Sequence, residues 1–113
     1  MASYRARPIT MKVVPSLHSS PLQRLASWFH QDFGLAFQDV QSGAAAYFKS
    51  LNSADRQLLM TEIAPFLATH EGSSEKALRR AWMKLGAQYW PRRADTQSIL
   101  RGFLTELRSV QNT

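Results

Sequence analysis

The chain contains no cysteine, so a disulfide scaffold, a thiolate zinc site, an iron–sulfur cluster and a cysteine nucleophile are all excluded. Glycine is sparse, with five residues at 34, 43, 72, 86 and 102, and no two are grouped into a loop that cradles phosphate. The three histidines, His18, His30 and His70, stand alone, and none has a second histidine at metal-ligand spacing. No metal or other cofactor is therefore expected. Long apolar runs are also missing, since no segment approaches the roughly 20 apolar residues of a membrane-spanning helix. Between Met1 and Ser20 the apolar residues are scattered and broken by Pro8 and Pro15, unlike the core of a signal peptide. A cytoplasmic location without membrane attachment is expected.

What is present is a core. Three Trp, three Tyr and six Phe in 113 residues, with 44% apolar residues, suit one folded domain and are far too aromatic for a disordered chain. Fourteen Lys and Arg against eight Asp and Glu give a net charge of +6, which raises an anionic partner first. By position the charge divides. Residues 1–20 carry Arg5, Arg7 and Lys12 and no acid. Residues 21–74 carry three bases against five acids, and residues 75–113 carry eight bases against three acids. A mildly acidic middle lies between two basic parts, which fits one nucleic-acid-binding surface poorly.

The pattern predicts an all-α fold, a compact bundle of about five helices, over residues 21–113. Residues 1–20 read as a basic, largely irregular tail with a short extended piece at Met11–Val14. Ser20 followed by Pro21 is a cap followed by proline at the first helical position, where its missing N–H costs nothing. Leu22, Leu25, Ala26, Phe29 and Phe33 then recur at helical spacing, predicting a first helix from Pro21 to about Gln31 with Gly34 as its stop. A second helix is expected from Gln38 or Asp39 to about Ser50, with Gly43 a weak point inside it. A third runs from Ala54 to about Thr69, and Pro65 is expected to kink or restart it. A fourth spans Glu75 to Leu85, and a last one follows Asp95 or Thr96 to about Val110. No strand pattern competes with these.

Catalytic groupings are poor. His30 and Asp32 pair as base and orienter only on paper, because residues two apart on a helix point in different directions. Asp32, placed in the last turn of the first helix, would sit at the negative end of the macrodipole, so it is expected to bond to a cation or to backbone N–H groups as a polar brace. Trp28, Phe29 and Phe33 supply apolar area for docking. On the fourth helix Lys76, Arg80 and Lys84 are four apart with Arg79 adjacent, forming a positive ridge that Arg92 and Arg93 could extend. Phosphate would be attracted to that ridge. A small nucleic-acid-binding regulator using the helix over 75–85 is thus the alternative function. Against it, the break from Thr69 to Ser73 is longer than the usual three- or four-residue turn of a helix-turn-helix.

Two segments carry a family resemblance. Trp28–Phe29–His30–Gln31–Asp32–Phe33 resembles the aromatic–Phe–His–Gln–Asp–aromatic signature of a group of immunity proteins (CdiI type) from bacterial contact-dependent growth inhibition systems. Leu85–Gly86–Ala87–Gln88–Tyr89–Trp90–Pro91 resembles that group's Leu–Gly, two residues, aromatic pair, Pro segment. The similarity spans about Leu22 to Leu107. The resemblance implies a non-enzymatic cytoplasmic inhibitor that binds the toxic C-terminal domain of a large delivered effector, often a nuclease. It implies that Trp28, Phe29, Phe33, Gly86, Tyr89, Trp90 and Pro91 are scaffold, with His30, Gln31 and Asp32 in a hydrogen-bonded corner. Surfaces that choose between toxins must differ among relatives of one fold. Candidate toxin contacts are accordingly the acids Asp39, Asp55 and Glu62 if the toxin is basic, or the bases Arg79, Arg80, Lys84 and Arg92 if it presents an acidic groove. The high pI departs from the acidity common among inhibitors of basic nucleases.

Overall fold

The computed structural model describes residues 20–112, and the expectations for the tail before Ser20 lie outside them. Six helices are found: α1 (Pro21–Trp28), α2 (Phe33–Ala36), α3 (Val40–Ser50), α4 (Ser53–Thr69), α5 (Glu75–Lys84) and α6 (Thr96–Gln111). Among the described residues there is no strand. The long helices α4 and α6 pack on each other, α1 lies against α4, and α3 and α5 lie against α6.

Five helix starts are set by local side-chain chemistry. Ser20, Asp39, Asn52, Ser74 and Asp95 each accept a hydrogen bond from the backbone N–H three residues on. At α1 all four N-terminal positions are accounted for. Pro21 has no N–H, Gln23 and Arg24 donate to Ser20, and Leu22 donates to the Glu62 carboxylate of α4 at 2.9 Å. Gln23 returns the bond to the Ser20 N–H, completing a capping box.

Three local expectations are corrected. The first helix ends at Trp28 rather than near Gln31, and the chain re-enters a helical turn, α2, that is too short to show a periodicity. Gly34 lies inside α2 rather than stopping a helix; a β-carbon there would come within 3.3 Å of the Tyr89 ring. Helix α4 does not restart at Pro65 but continues through it. Thr61, Ala64 and Pro65 are all exposed, so the proline ring projects away from the packed face and water can serve the Thr61 carbonyl that has lost its donor.

The core is aromatic at its centre. Phe29 is fully buried, and its ring lies 4.9 Å from Phe33, 5.3 Å from Trp90, 5.8 Å from Phe103 and 6.2 Å from Trp82, between centroids. One side chain thus touches α2, α5, α6 and the connection before α6, at separations typical of stabilising ring pairs. Gly43 is the counterpart of this crowding. A β-carbon there would fall 2.2 Å from the Phe33 ring, so the expected weak point of α3 is a packing requirement.

Candidate functional site

The two motif segments meet. Behind α1, the Phe29 carbonyl accepts from both the Gln88 and Tyr89 N–H groups, at 2.7 and 2.9 Å. Gln88 reciprocates, its side-chain oxygen accepting from the Gln31 N–H at 3.3 Å. Gly86 turns the chain into this contact with φ of +133°, and a β-carbon on it would lie 2.8 Å from the Ser27 hydroxyl. His30 Nδ1 accepts from the Asp32 N–H at 3.1 Å, which fixes the acceptor role of that nitrogen. The His30 carbonyl accepts from the Phe33 N–H that opens α2.

Asp32 is not the expected brace. Because α1 ends early, Asp32 precedes α2, at the positive end of that short helix, and its exposed carboxylate makes no capping bond. Ring packing completes the corner. Trp28 lies 5.1 Å from Tyr47 and 5.7 Å from Phe37, and its indole N–H donates to the Gly43 carbonyl at 2.9 Å. Tyr89 lies 5.1 Å from Phe33.

A second network, which starts at the motif residue Trp90 and runs beyond either motif, ties the connection over 85–95 to α5 and α6. The Trp90 indole N–H donates to the Thr96 hydroxyl at 3.0 Å, and Thr96 is fully buried. Thr96 donates its backbone N–H to one Glu75 oxygen at 2.8 Å and its hydroxyl to the other at 2.6 Å. Glu75 also pairs with Arg79 at 3.4 Å, and Arg79 donates to the Arg92 carbonyl at 2.8 Å. Glu75 therefore serves the N-termini of two helices, its own and α6, where a carboxylate is favoured. Glu75, Thr96 and Gln88 were invisible as partners in the sequence, since 21 and 57 residues separate the bonded groups.

These contacts sort the candidate toxin-binding charges. Glu62 is half-buried on the Leu22 N–H. Asp39 is exposed; one of its carboxylate oxygens accepts from the Ser42 hydroxyl and N–H, both at 2.7 Å, and these bonds hold its carboxyl below the ordinary value of 3.8 and so keep it charged. Asp55 is half-buried in a small recess with Arg24 and Tyr47, whose phenol burial pushes up. Arg79 is turned into the structural network rather than standing on the ridge. Arg80, Lys84 and Arg92 remain exposed, whereas Arg79 is paired with Glu75. Half of the eight acids, namely Asp39, Glu62, Glu75 and Asp95, accept from N–H groups at helix starts.

A family model described as CdiI immunity protein matches residues 22–110. The chain belongs to that family. Membership implies toxin neutralisation in contact-dependent growth inhibition. The matched span of this CdiI-family chain takes in all six helices except their outermost residues, and with them both motif segments and the Glu75–Thr96 network. No curated protein and no solved structure matches the chain. No described helix is long and apolar enough to cross a membrane.

Proposed function

We propose that the chain is a non-catalytic cytoplasmic inhibitor that forms a stoichiometric complex with the toxic C-terminal domain of its cognate effector, a nuclease domain, and blocks it. The family match over residues 22–110 carries this role. Among the two sets of candidate contacts, the basic one is favoured, because two of the three acids are withdrawn, Glu62 half-buried on the Leu22 N–H and Asp55 half-buried, whereas Arg80, Lys84 and Arg92 face solvent unpaired. The motif residues 28–33 and 86–91 serve as scaffold in this role. The partner's docking surface is accordingly acidic, which also accounts for an inhibitor of high pI.

The test is co-expression with the toxin domain encoded next to this gene. A 1:1 complex on gel filtration, with nuclease activity that falls to zero at one equivalent of inhibitor, is the expected outcome. Absence of any complex overturns the role. The nucleic-acid-binding alternative is weakened by the inward turn of Arg79, which shortens the ridge to Lys76, Arg80 and Lys84.

A further inference from the structure

Between Trp90 and Thr96, both buried and bonded to each other, the chain makes a tight turn. The Ala94 N–H donates to the Pro91 carbonyl at 3.3 Å, so Arg92 and Arg93 occupy the two corner positions. Both are exposed. Arg93 lines a cleft together with the exposed Asp39, which offers it a counter-charge, whereas Arg92 does not line that cleft.

Arg79 reaches this turn from α5. One of its terminal nitrogens donates to the Arg92 carbonyl at 2.8 Å and to the Ala94 carbonyl at 3.4 Å, while its Nε faces the Glu75 carboxylate at 3.4 Å. A rigid planar guanidinium can hold two carbonyls and a carboxylate in one fixed geometry, which an ammonium on a flexible stem does not reproduce. The charge of Arg79 is matched by Glu75, and its side chain is half-buried. It links backbone to helix rather than facing outward.

That link shapes the surface. Arg79 stands next to Arg80 and one turn on from Lys76, so fastening the Arg92 backbone to it sets Arg92 beside the exposed bases of α5. Lys76, Arg80, Lys84 and Arg92 thereby form one positive surface from a helix and a turn. Residues 75–95 hold six bases and two acids, so this surface stays positive with Glu75 and Asp95 both charged. An acidic protein surface complements it.

We infer that Arg79 is a positioning residue for toxin binding: it holds Arg92 in line with Lys76, Arg80 and Lys84 against an acidic patch of the toxin domain, without touching that domain itself. The assignment rests on the toxin-binding role proposed above. It adds a residue that sets affinity from behind the interface.

The experiment is calorimetric titration of the toxin domain encoded beside this gene into the full chain and its variants. Arg92→Ala is expected to raise Kd by about tenfold, and Arg79→Lys, which keeps the charge but loses the fork, by about fivefold. The double variant is expected to bind within about twofold of Arg92→Ala alone, since Arg79 acts only through Arg92. In the free protein, Arg79→Lys is expected to speed amide exchange at Ala94 by at least about fivefold, and Arg92→Ala to leave it within about twofold. Thermal melts close to that of the parent will show that the fold is kept. Losses that multiply in the double variant would mean that Arg79 contacts the toxin directly, and would overturn the positioning role. So would an Arg79→Lys chain that binds like the parent. In both cases the toxin-binding role stands. If Arg92→Ala leaves toxin affinity unchanged but weakens binding to duplex DNA or RNA, the surface serves nucleic acid and the inference is wrong. If the parent does not bind the toxin domain, the role and the inference fall together.

Discussion

The corner where residues 29–33 meet residues 86–90 and the outer side of the molecule along α5 and Arg92–Arg93 differ in how their polar groups are used. In the corner backbone groups are turned onto internal partners: the Phe29 carbonyl takes two N–H groups, the Gln88 side chain takes the Gln31 N–H, and His30 takes the Asp32 N–H. Along the outer side Lys76, Arg80, Lys84, Arg92 and Arg93 are exposed and unpaired. The boundary runs through a single helix turn, since Glu75 and Arg79 on α5 belong to the internal network and Lys76 and Arg80 beside them do not. Recognisable motifs therefore describe architecture in this chain, and the side chains free for a partner lie where no motif is seen.

Substitutions can break that division, beginning with the largest effect. Phe29→Ala removes the ring shared by α2, α5, α6 and the connection before α6, and is expected to cost about 3–5 kcal/mol, measured by chemical denaturation. Glu75→Ala strands the Thr96 N–H and releases Arg79, with an expected loss of about 2 kcal/mol. A wild-type midpoint for this variant would place Glu75 with the outer charges. His30→Ala removes the acceptor of the Asp32 N–H at an exposed position, so about 1 kcal/mol is expected, with the helical circular dichroism unchanged.

Asp39 contributes through pH. Its folded carboxyl titrates below 3.8, so the stability it contributes is present above the unfolded value and is lost as pH falls through the folded one. Asp39→Asn should therefore differ from the parent at about pH 6 and converge with it near pH 2, read as melting temperatures across that range. Smallest of all, Arg80→Glu with Lys84→Glu should leave stability within about 0.5 kcal/mol of the parent, because neither side chain has an internal partner. A larger loss would mean that α5 has no free face.

The sequence made the helices legible because their caps are local. Ser20, Asp39, Asn52, Ser74 and Asp95 each act within three residues, and the apolar spacing between caps marks the buried faces. Helix α2 was not legible, because four residues cannot display a 3.6-residue period and because Phe37 beyond it folds back onto Trp28 and Phe33. The continuation through Pro65 depends on which side of α4 faces solvent, a tertiary property. Arg79 was misread for a related reason: its i, i+4 neighbours suggested a solvated ridge, and nothing local says that the carbonyl of Arg92 lies within its reach. The corner was legible as a motif. Its Asp32 was misassigned because the end of α1 was placed three residues too late, which reversed the sign of the nearest helix dipole.

The doubly used Phe29 carbonyl also fixes how this protein opens. The amides of Gln88 and Tyr89 belong to a stretch without regular secondary structure, yet both are closed onto a buried residue at the centre of the core. Their protons can leave for solvent only when α1 and the 85–95 connection separate, an event that also uncovers Phe29. In a hydrogen-exchange map these two loop amides should thus decay with the slowest helical ones, making the connection kinetically a part of the core rather than of the surface.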